Sequence, residues 1–293
     1  MRQKLKIAVL MGGKSPEYEI SLISGREVMK NLDKDKYTPT PVIISKTGQG
    51  IEKVLHVAAD IVFIAMHGPY GEDGRIQGML DMAGIKYTGS GVTASAVGMD
   101  KLIFRKLMQA EGIPVARIST KFPCFVKPHN QGSSVGASIV RSKKDLKKAV
   151  KLAKKYSGKI IIEEYLKGTE VTCAVLGNEK PIALPVIEII PLKGKFFDYT
   201  SKYTESGSEE IVPARISKGL TKKVQNLAIK VYRTVGCRGF GRVDFILKDN
   251  KYPIVLEINT IPGLTPMSLV PKAAKAAGIS YRSLLDKIIR YAI

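Results

Sequence analysis

RGFGRVDFILKDNKYPIVLEINTIPGLTPMS, Arg238 to Ser268, decides the architecture. From Gly241 to Leu247 it alternates Arg242, Asp244 and Ile246 with Val243, Phe245 and Leu247, the period-two pattern of a half-buried strand. Lys248-Asp249-Asn250-Lys251 carries turn chemistry. Tyr252 to Asn259 then forms a second strand with Val255, Glu257 and Asn259 on one face. With Asp249-Asn250 as the hairpin loop, Arg242 is expected opposite Glu257 and Asp244 opposite Val255. Three oxygen donors, Asp244, Glu257 and Asn259, beside a guanidinium suit a hard cation, Mg2+ or Mn2+, whose shell is completed by phosphate oxygens. For the hairpin taken alone, a solvated polar face with a cross-strand Arg–Glu pair is the simpler alternative.

Working outward, Ile7 to Met11 reads as a buried strand ending in Gly12-Gly13, with a helix starting at Ser15-Pro16 and carrying Ile20, Ile23, Val28 and Leu32. Thr38 to Ile44 and Asp60 to Met66 supply two more strands, so residues 1–92 are expected to form a small α/β domain with a parallel sheet. Ligands of such sheets sit beyond the carboxyl ends of the strands, where Gly12, Glu17 and His67 fall. His67 opens the glycine-bracketed acidic loop HGPYGEDG (67–74). Such a lone histidine is more often structural, yet the loop is a site candidate. GSGVTA (89–94) imitates part of a dinucleotide fingerprint but lacks a sustained preceding strand and a ribose-binding acid, and it reads as a domain junction. Ala94 to Glu111 is expected to be one helix, with Lys101 in its first half.

Phe125-Val126-Lys127-Pro128 ends a strand, and NQGSSVG (130–136) is a Gly/Ser loop before a second strand, Ala137 to Val140. Backbone N–H groups of such a loop can fold over a polyphosphate with Lys127 as point charge, although a plain hairpin turn fits as well. Ile160 to Leu166 is a buried strand carrying Glu163 and Glu164, followed by a strand from Glu170 to Leu176. Between two sheet-bearing domains, backbone groups near Leu166 could read an adenine edge and Glu170 could accept ribose hydroxyls. Residues 193–213 form a long polar loop, more consistent with a function than with an idle connection. Helices are expected over Ser217 to Val235 and Ser280 to Arg290.

The 293 residues, 44% hydrophobic and 25% charged, describe an ordinary globular chain. Lys+Arg 47 against Asp+Glu 26 gives a net charge of +21, which admits nucleic acid, an anionic membrane or a polyphosphate ligand as partner. The densest basic stretch, RSKKDLKKAVKLAKKYSGK (141–159), has capping-box spacing at Ser142 and Asp145. Its apolar stripe of Leu146, Ala149, Val150 and Ala153 makes the lysines the wet face of a packed helix, and no nucleic-acid or membrane partner is expected. Cys124, Cys173 and Cys237 are too few and too scattered for a zinc site or a disulfide framework. The apolar run after Lys4-Leu5-Lys6 is too short for a signal peptide, so the cytoplasm is the expected compartment.

Taken together, GGKSPEYEIS (12–21), MHGPYGEDG (66–74), GSGVTASAVGMDK (89–101), VKPHNQGSSVG (126–136), EEYLKGTEVT (163–172), DYTSKY (198–203), GFGRVDF (239–245) and LEINTIPGLTPMSL (256–269) resemble the D-alanine–D-alanine ligases of the ATP-grasp superfamily. The resemblance covers nearly the whole chain, in order and with matching spacing. It implies an α/β, three-domain ATP-grasp fold: residues 1–92, a central domain 93–168, and a C-terminal domain 169–293 carrying the metal site and a lid loop, 193–213. The implied activity is ATP-dependent joining of two D-alanines through an acyl phosphate, for peptidoglycan precursor synthesis, with another ATP-grasp carboxylate–amine ligase as the alternative. Lys101 and Lys127 would hold ATP phosphates, Glu163, Glu164 and Leu166 the adenine, Glu170 the ribose, and Lys202 the γ-phosphate. Asp244, Glu257 and Asn259 would bind two Mg2+ or Mn2+ ions. Glu17 would pair with the ammonium of the first D-alanine beside His67, with Ser133 and Tyr203 linking it to the lid. Arg242 and the Gly263 N–H would form the oxyanion hole, and Ser268 would hold the second carboxylate. The family also implies a homodimer. Two departures stand out: a short linker between Gly112 and Phe125, and Pro266-Met267 at a variable pair before Ser268.

Overall fold

The computed structural model describes residues 3–132, 134–192 and 207–293. Its N-terminal sheet is parallel, in the order β2–β1–β3, built from β1 (Leu5–Gly12), β2 (Tyr37–Ile44) and β3 (Ile61–Ile64). Ile7 to Leu10 are fully buried, because a central parallel strand is covered on both faces and so reads as an unbroken apolar run. Beyond β1, Gly12 and Gly13 have φ of +88° and +101°, and a Cβ on Gly12 would stand 2.2 Å from the Ile44 carbonyl oxygen. Only glycine lets the chain turn there. The helix after it, α1 (Tyr18–Asn31), buries Val28 as expected but leaves Ile23 exposed. Two short helices, α2 (Lys53–His56) and α3 (Arg75–Met82), complete this part.

The single helix expected over 94–111 is two helices, α4 (Val92–Met99) and α5 (Lys101–Ala110). Asp100 breaks them with an extended backbone, and its Oδ1 accepts from the N–H groups of Leu102 and Ile103 at 2.9 and 3.1 Å. A capping carboxylate outcompetes helix continuation at this point. Lys101 therefore opens a helix rather than sitting inside one.

A small antiparallel sheet, β5–β4–β6, follows, from β4 (Cys124–Pro128), β5 (Ser138–Val140) and β6 (Ile160–Glu164). Across it lies α6 (Lys143–Lys154), whose Leu146, Ala149, Val150 and Ala153 pack on Cys124, Val126 and Val140 as the stripe required. Ser142 gives its hydroxyl to the Asp145 carboxylate at 2.6 Å rather than capping a backbone N–H. The larger sheet runs β10–β9–β7–β11–β12, with β8 (Ile182–Ala183) paired to β7 (Gly168–Leu176). Its other strands are β9 (Ile187–Pro191), β10 (Ser208–Ile211), β11 (Phe240–Lys248) and β12 (Tyr252–Asn259). Val171, Cys173, Val243, Phe245 and Val255 face α7 (Lys218–Val235). Two last helices, α8 (Leu269–Ala276) and α9 (Tyr281–Arg290), share a core with the N-terminal sheet. All three cysteines are buried and free, and burial pushes the thiols of Cys173 and Cys237 up to about 12, which leaves them inert. Among the described residues no helix is long and apolar enough to cross a membrane.

The β11–β12 register differs from the expected one. The turn takes three residues, 249–251, with Asp249 and Asn250 at φ of +54° and +55°. Phe245 then faces Val255, but Asp244 faces Glu257 and Arg242 faces Asn259, which leaves Leu256 as an extra residue in β12. This bulge reverses the side-chain parity of the strand. Val255, expected beside Glu257 and Asn259, instead lies in the core against α7, while Leu256 and Glu257 turn together to the opposite side.

Glu164, at the end of β6, straps three segments together. It accepts from Arg117 Nε and Nη2, both at 3.2 Å, from the Arg117 N–H at 2.9 Å, and from Lys248 Nζ at 3.2 Å. Burial works against its ionisation, but these donors prevail and lower the carboxyl from 4.5 to about 2. A depressed carboxyl contributes stability that is complete above its unfolded value and is lost as pH falls from there toward the folded value. Between pH 6 and pH 3 the parent should lose more urea stability than Glu164→Gln, by on the order of 1 kcal/mol once the solvent screening of exposed Arg117 is allowed for. Equal losses in the two proteins would show that the strap contributes nothing.

Candidate functional site

A cavity of about 480 Å3 lies between the small and large sheets. Eight of the residues singled out in the sequence line it: Lys101, Lys127, Glu163, Glu164, Leu166, Glu170, Asp244 and Glu257. They arrive from α5, β4, β6, the link from β6 to β7 that carries Leu166, β7, β11 and β12, so strands distant in sequence converge on one space. Phe125, Ile189, Ile246 and Leu256 supply apolar walls. Flat apolar surface with a few convergent charges is the composition of a nucleotide-sized pocket.

The charged groups are paired. Asp244 accepts from Arg242 Nε and Nη2 at 2.8 and 2.7 Å, from Thr172 Oγ1 at 2.5 Å and from Asn259 Nδ2 at 3.1 Å. Across the strand pair, Glu257 lies 2.9 Å from Lys101 Nζ, which also donates to the Gln131 carbonyl at 2.8 Å. Lys127 sits 2.6 Å from Glu163, and Arg105 approaches the other oxygen of that carboxylate at 3.4 Å. Two carboxylates on directly opposed positions repel, and here each has its own cation. The oxygen-rich set of Asp244, Glu257 and Asn259 fits a hard divalent ion by donor chemistry.

A second cluster stands at the carboxyl ends of β1 and β3. Glu17 and His67 are both buried. His67 Nε2 lies 2.8 Å from Ser24 Oγ, and its Nδ1 lies 3.1 Å from the Ile261 carbonyl and 3.6 Å from Glu72 Oε1. Burial pulls the imidazole down, but the hydrogen bond and charge of Glu72, the charge of Glu17 and the Ile261 carbonyl raise it above its usual value. Burial raises the Glu72 carboxyl as well. Glu17 approaches the Gly/Ser loop, since a Cβ on Gly132 would meet its Oε2 at 3.2 Å. The Ile261 contact joins this cluster to the segment after β12. There Ser268 Oγ accepts from the Thr265 N–H at 3.0 Å, and a Cβ on Gly263 would stand 2.7 Å from it.

The structure thus brings the cavity residues together, joins Arg242 and Asn259 to them through Asp244, and places Glu17 and His67 in a neighbouring polar pocket linked to the Gly263–Ser268 turn. Ser133, Lys202 and Tyr203 lie outside the described residues. The sequence reading missed Arg105, although its spacing of four from Lys101 puts both on one face of a helix. It also missed Gln131, Leu256, and the pair Glu188–Arg215 at the cavity's edge, where two guanidinium contacts of 3.0 and 2.9 Å hold the carboxyl below its usual range. No local pattern announces a partner 27 residues away.

Comparison with known proteins agrees with this geometry. The family model described as the D-ala D-ala ligase C-terminus matches residues 103–290, and that for the N-terminus matches residues 6–54 and 50–90. The chain is 41% identical over 311 aligned residues to a D-alanine–D-alanine ligase of Pelotomaculum thermopropionicum, spanning 99% of this chain and 97% of the relative. Among solved structures, the VanG D-Ala:D-Ser ligase from Enterococcus faecalis has a TM-score of 0.88 at 34% identity, covering 99% of this chain and 100% of that one. The D-alanine–D-alanine ligase from Bacillus anthracis complexed with ATP has a TM-score of 0.85 at 36% identity, covering 99% and 97%. With both halves matched in order on a cavity built from the same motifs, the chain belongs to the D-alanine–D-alanine ligase family of ATP-grasp enzymes.

Proposed function

We propose that the protein joins two D-alanines to D-alanyl-D-alanine at the expense of ATP, supplying a peptidoglycan precursor. The observation that carries this reading is the cavity in which Asp244 faces Glu257, with Lys101 and Lys127 directed into it, next to the Glu17–His67 pocket. The assigned divisions are 1–92, 93–168 and 169–293. A cytoplasmic location and a homodimer also belong to this reading.

A carboxylate is a poor electrophile, so the first D-alanine must take the γ-phosphoryl group, becoming an acyl phosphate and releasing ADP. The amine of the second then attacks the acyl carbon and expels phosphate. Asp244, Glu257 and Asn259 are assigned to two Mg2+ or Mn2+ ions, which when bound neutralise charge on the transferring phosphoryl group. Lys101 and Lys127 hold phosphate oxygens, and Lys202 is assigned to the γ-phosphate. Glu163, Glu164 and the backbone at Leu166 frame the adenine, while Glu170 accepts ribose hydroxyls. Glu17 takes the ammonium of the first D-alanine beside His67, with Ser133 and Tyr203 completing the contact to the 193–213 loop. That loop, assigned as lid on its length and composition, keeps water from the acyl phosphate. Arg242 and the Gly263 N–H steady the tetrahedral oxyanion, and Ser268 holds the second carboxylate.

Asp244→Ala, Glu257→Ala and Asn259→Ala should each lower dipeptide formation on the order of 100-fold or more while the circular dichroism spectrum stays that of the parent. Near-normal activity in two of the three would end the metal assignment. The second substrate is expected to be an amine, because the sequence retains Lys202-Tyr203, a pair that ester-forming relatives generally lack. An ammonium must lose its proton before attack, so amide formation should climb as pH rises through the alkaline range. Equal D-alanine, D-lactate and D-serine should give D-alanyl-D-alanine as the main product. Depsipeptide as the main product near neutral pH would overturn the assignment.

A further inference from the structure

Lys101 has two destinations. It lines the cavity, yet its ammonium sits 2.9 Å from Glu257, a carboxylate assigned above to a divalent ion, with a second bond of 2.8 Å to the Gln131 carbonyl. Both partners of the ion pair are largely shielded, with side chains 11% and 19% exposed. At such burial a pair is screened far less than at the surface. The backbone of Lys101 is fixed at the start of α5 by the Asp100 cap and by its own N–H bond of 2.9 Å to the His129 carbonyl. Only the four-carbon stem is left to carry the charge from one partner to another.

We propose that Lys101 is a stand-in for the divalent metal: its ammonium holds Glu257 until a metal–nucleotide complex arrives, so the site selects that complex over free metal. The inference rests on the metal assignment above and adds what one of this chain's own side chains does before loading. A free divalent ion reaching Glu257 must displace the ammonium, leaving two cations crowded in one pocket with the Gln131 carbonyl as the lysine's neutral alternative. When polyphosphate enters with the metal, the displaced ammonium has an anion to receive it. Metal and nucleotide thereby strengthen each other's binding, and such coupling is reciprocal.

Lys127 differs. Its carboxylate, Glu163, also has Arg105 at 3.4 Å, and Glu163 is not assigned to the metal. Moving Lys127 to a phosphate therefore leaves Glu163 with a cation and opens no metal position. This contrast separates an exchange at one carboxylate from a general effect of positive charge.

The test is Mn2+ titration without nucleotide, read by electron paramagnetic resonance of the free ion. Lys101→Met should bind Mn2+ about tenfold more tightly than the parent. Lys101→Arg, which keeps the charge, and Lys127→Met should bind as the parent does. Lys101→Gln replaces the methionine variant if that one does not fold. Parental affinity in the neutral Lys101 variant, or equal tightening in Lys127→Met or Lys101→Arg, overturns the exchange. A parent that binds no Mn2+ even with a non-hydrolysable ATP analogue would instead remove the metal assignment beneath it. Binding with the analogue, but no gain in the neutral variant, removes this inference alone.

Discussion

Asp244 and Glu257 oppose each other on neighbouring strands, and the rest of the site is arranged around the cost of that opposition. Two like charges on a cross-strand pair destabilise a sheet, and partial burial makes the repulsion stronger. The fold meets this with a bidentate arginine on one carboxylate and a lysine from another element on the other. Arg242 comes from the same strand as Asp244, whereas Lys101 reaches Glu257 from a helix more than 150 residues earlier in the chain. The ion pairs therefore both neutralise the site and position α5 against the large sheet. A site so held is preorganised for a ligand that brings both signs of charge, as a metal–polyphosphate does.

The second constraint is the joint between the N-terminal sheet and the end of the chain. His67 bonds the Ile261 carbonyl, Tyr37 donates to Asp286 at 2.7 Å, and α9 buries Leu284, Leu285, Ile288 and Ile289 in the core that includes β1. The buried apolar contact supplies most of the stabilisation, and the hydrogen bonds fix orientation. Through this joint the pocket around Glu17 stands beside the turn that carries Gly263 and Ser268. Under the proposed assignment, an amino acid activated in that pocket would meet a second held by the neighbouring turn, the positional advantage a two-substrate ligation requires.

Much of this was legible in the sequence, for identifiable reasons. The amphipathic α6 and the alternation of β11 display the period of their element, the strand Ile7–Met11 shows the unbroken apolar run of a strand covered on both faces, and the structure contains all three. The β11–β12 register was not legible. Pro253 to Leu256 is apolar throughout, so an extra residue inserted there leaves no mark on the pattern, and only the packing of Val255 against Phe245 shows where the parity turns over. Nor was the break at Asp100, because a single acid in an otherwise helical pattern reads equally as a solvent-facing residue or as a cap. The cavity's residue types were visible in advance, whereas their pairing as Lys101–Glu257 and Lys127–Glu163 depends on contacts between remote segments. Asp244, Glu257 and Asn259 nevertheless share one face, because the bulge brings Glu257 to the side it was expected to occupy.

The bulge at Leu256 is accordingly where the account is most exposed. Deleting Leu256 restores a regular ladder, keeps Val255 opposite Phe245 and Glu257 opposite Asp244, and removes one apolar wall of the cavity. Thermal unfolding of the deletion variant, with and without Mg2+ and ATP, reads the consequence. The variant should still unfold cooperatively without ligand but show a smaller nucleotide-induced rise in melting temperature than the parent. An undiminished rise would contradict the placement of Leu256 in the nucleotide cavity.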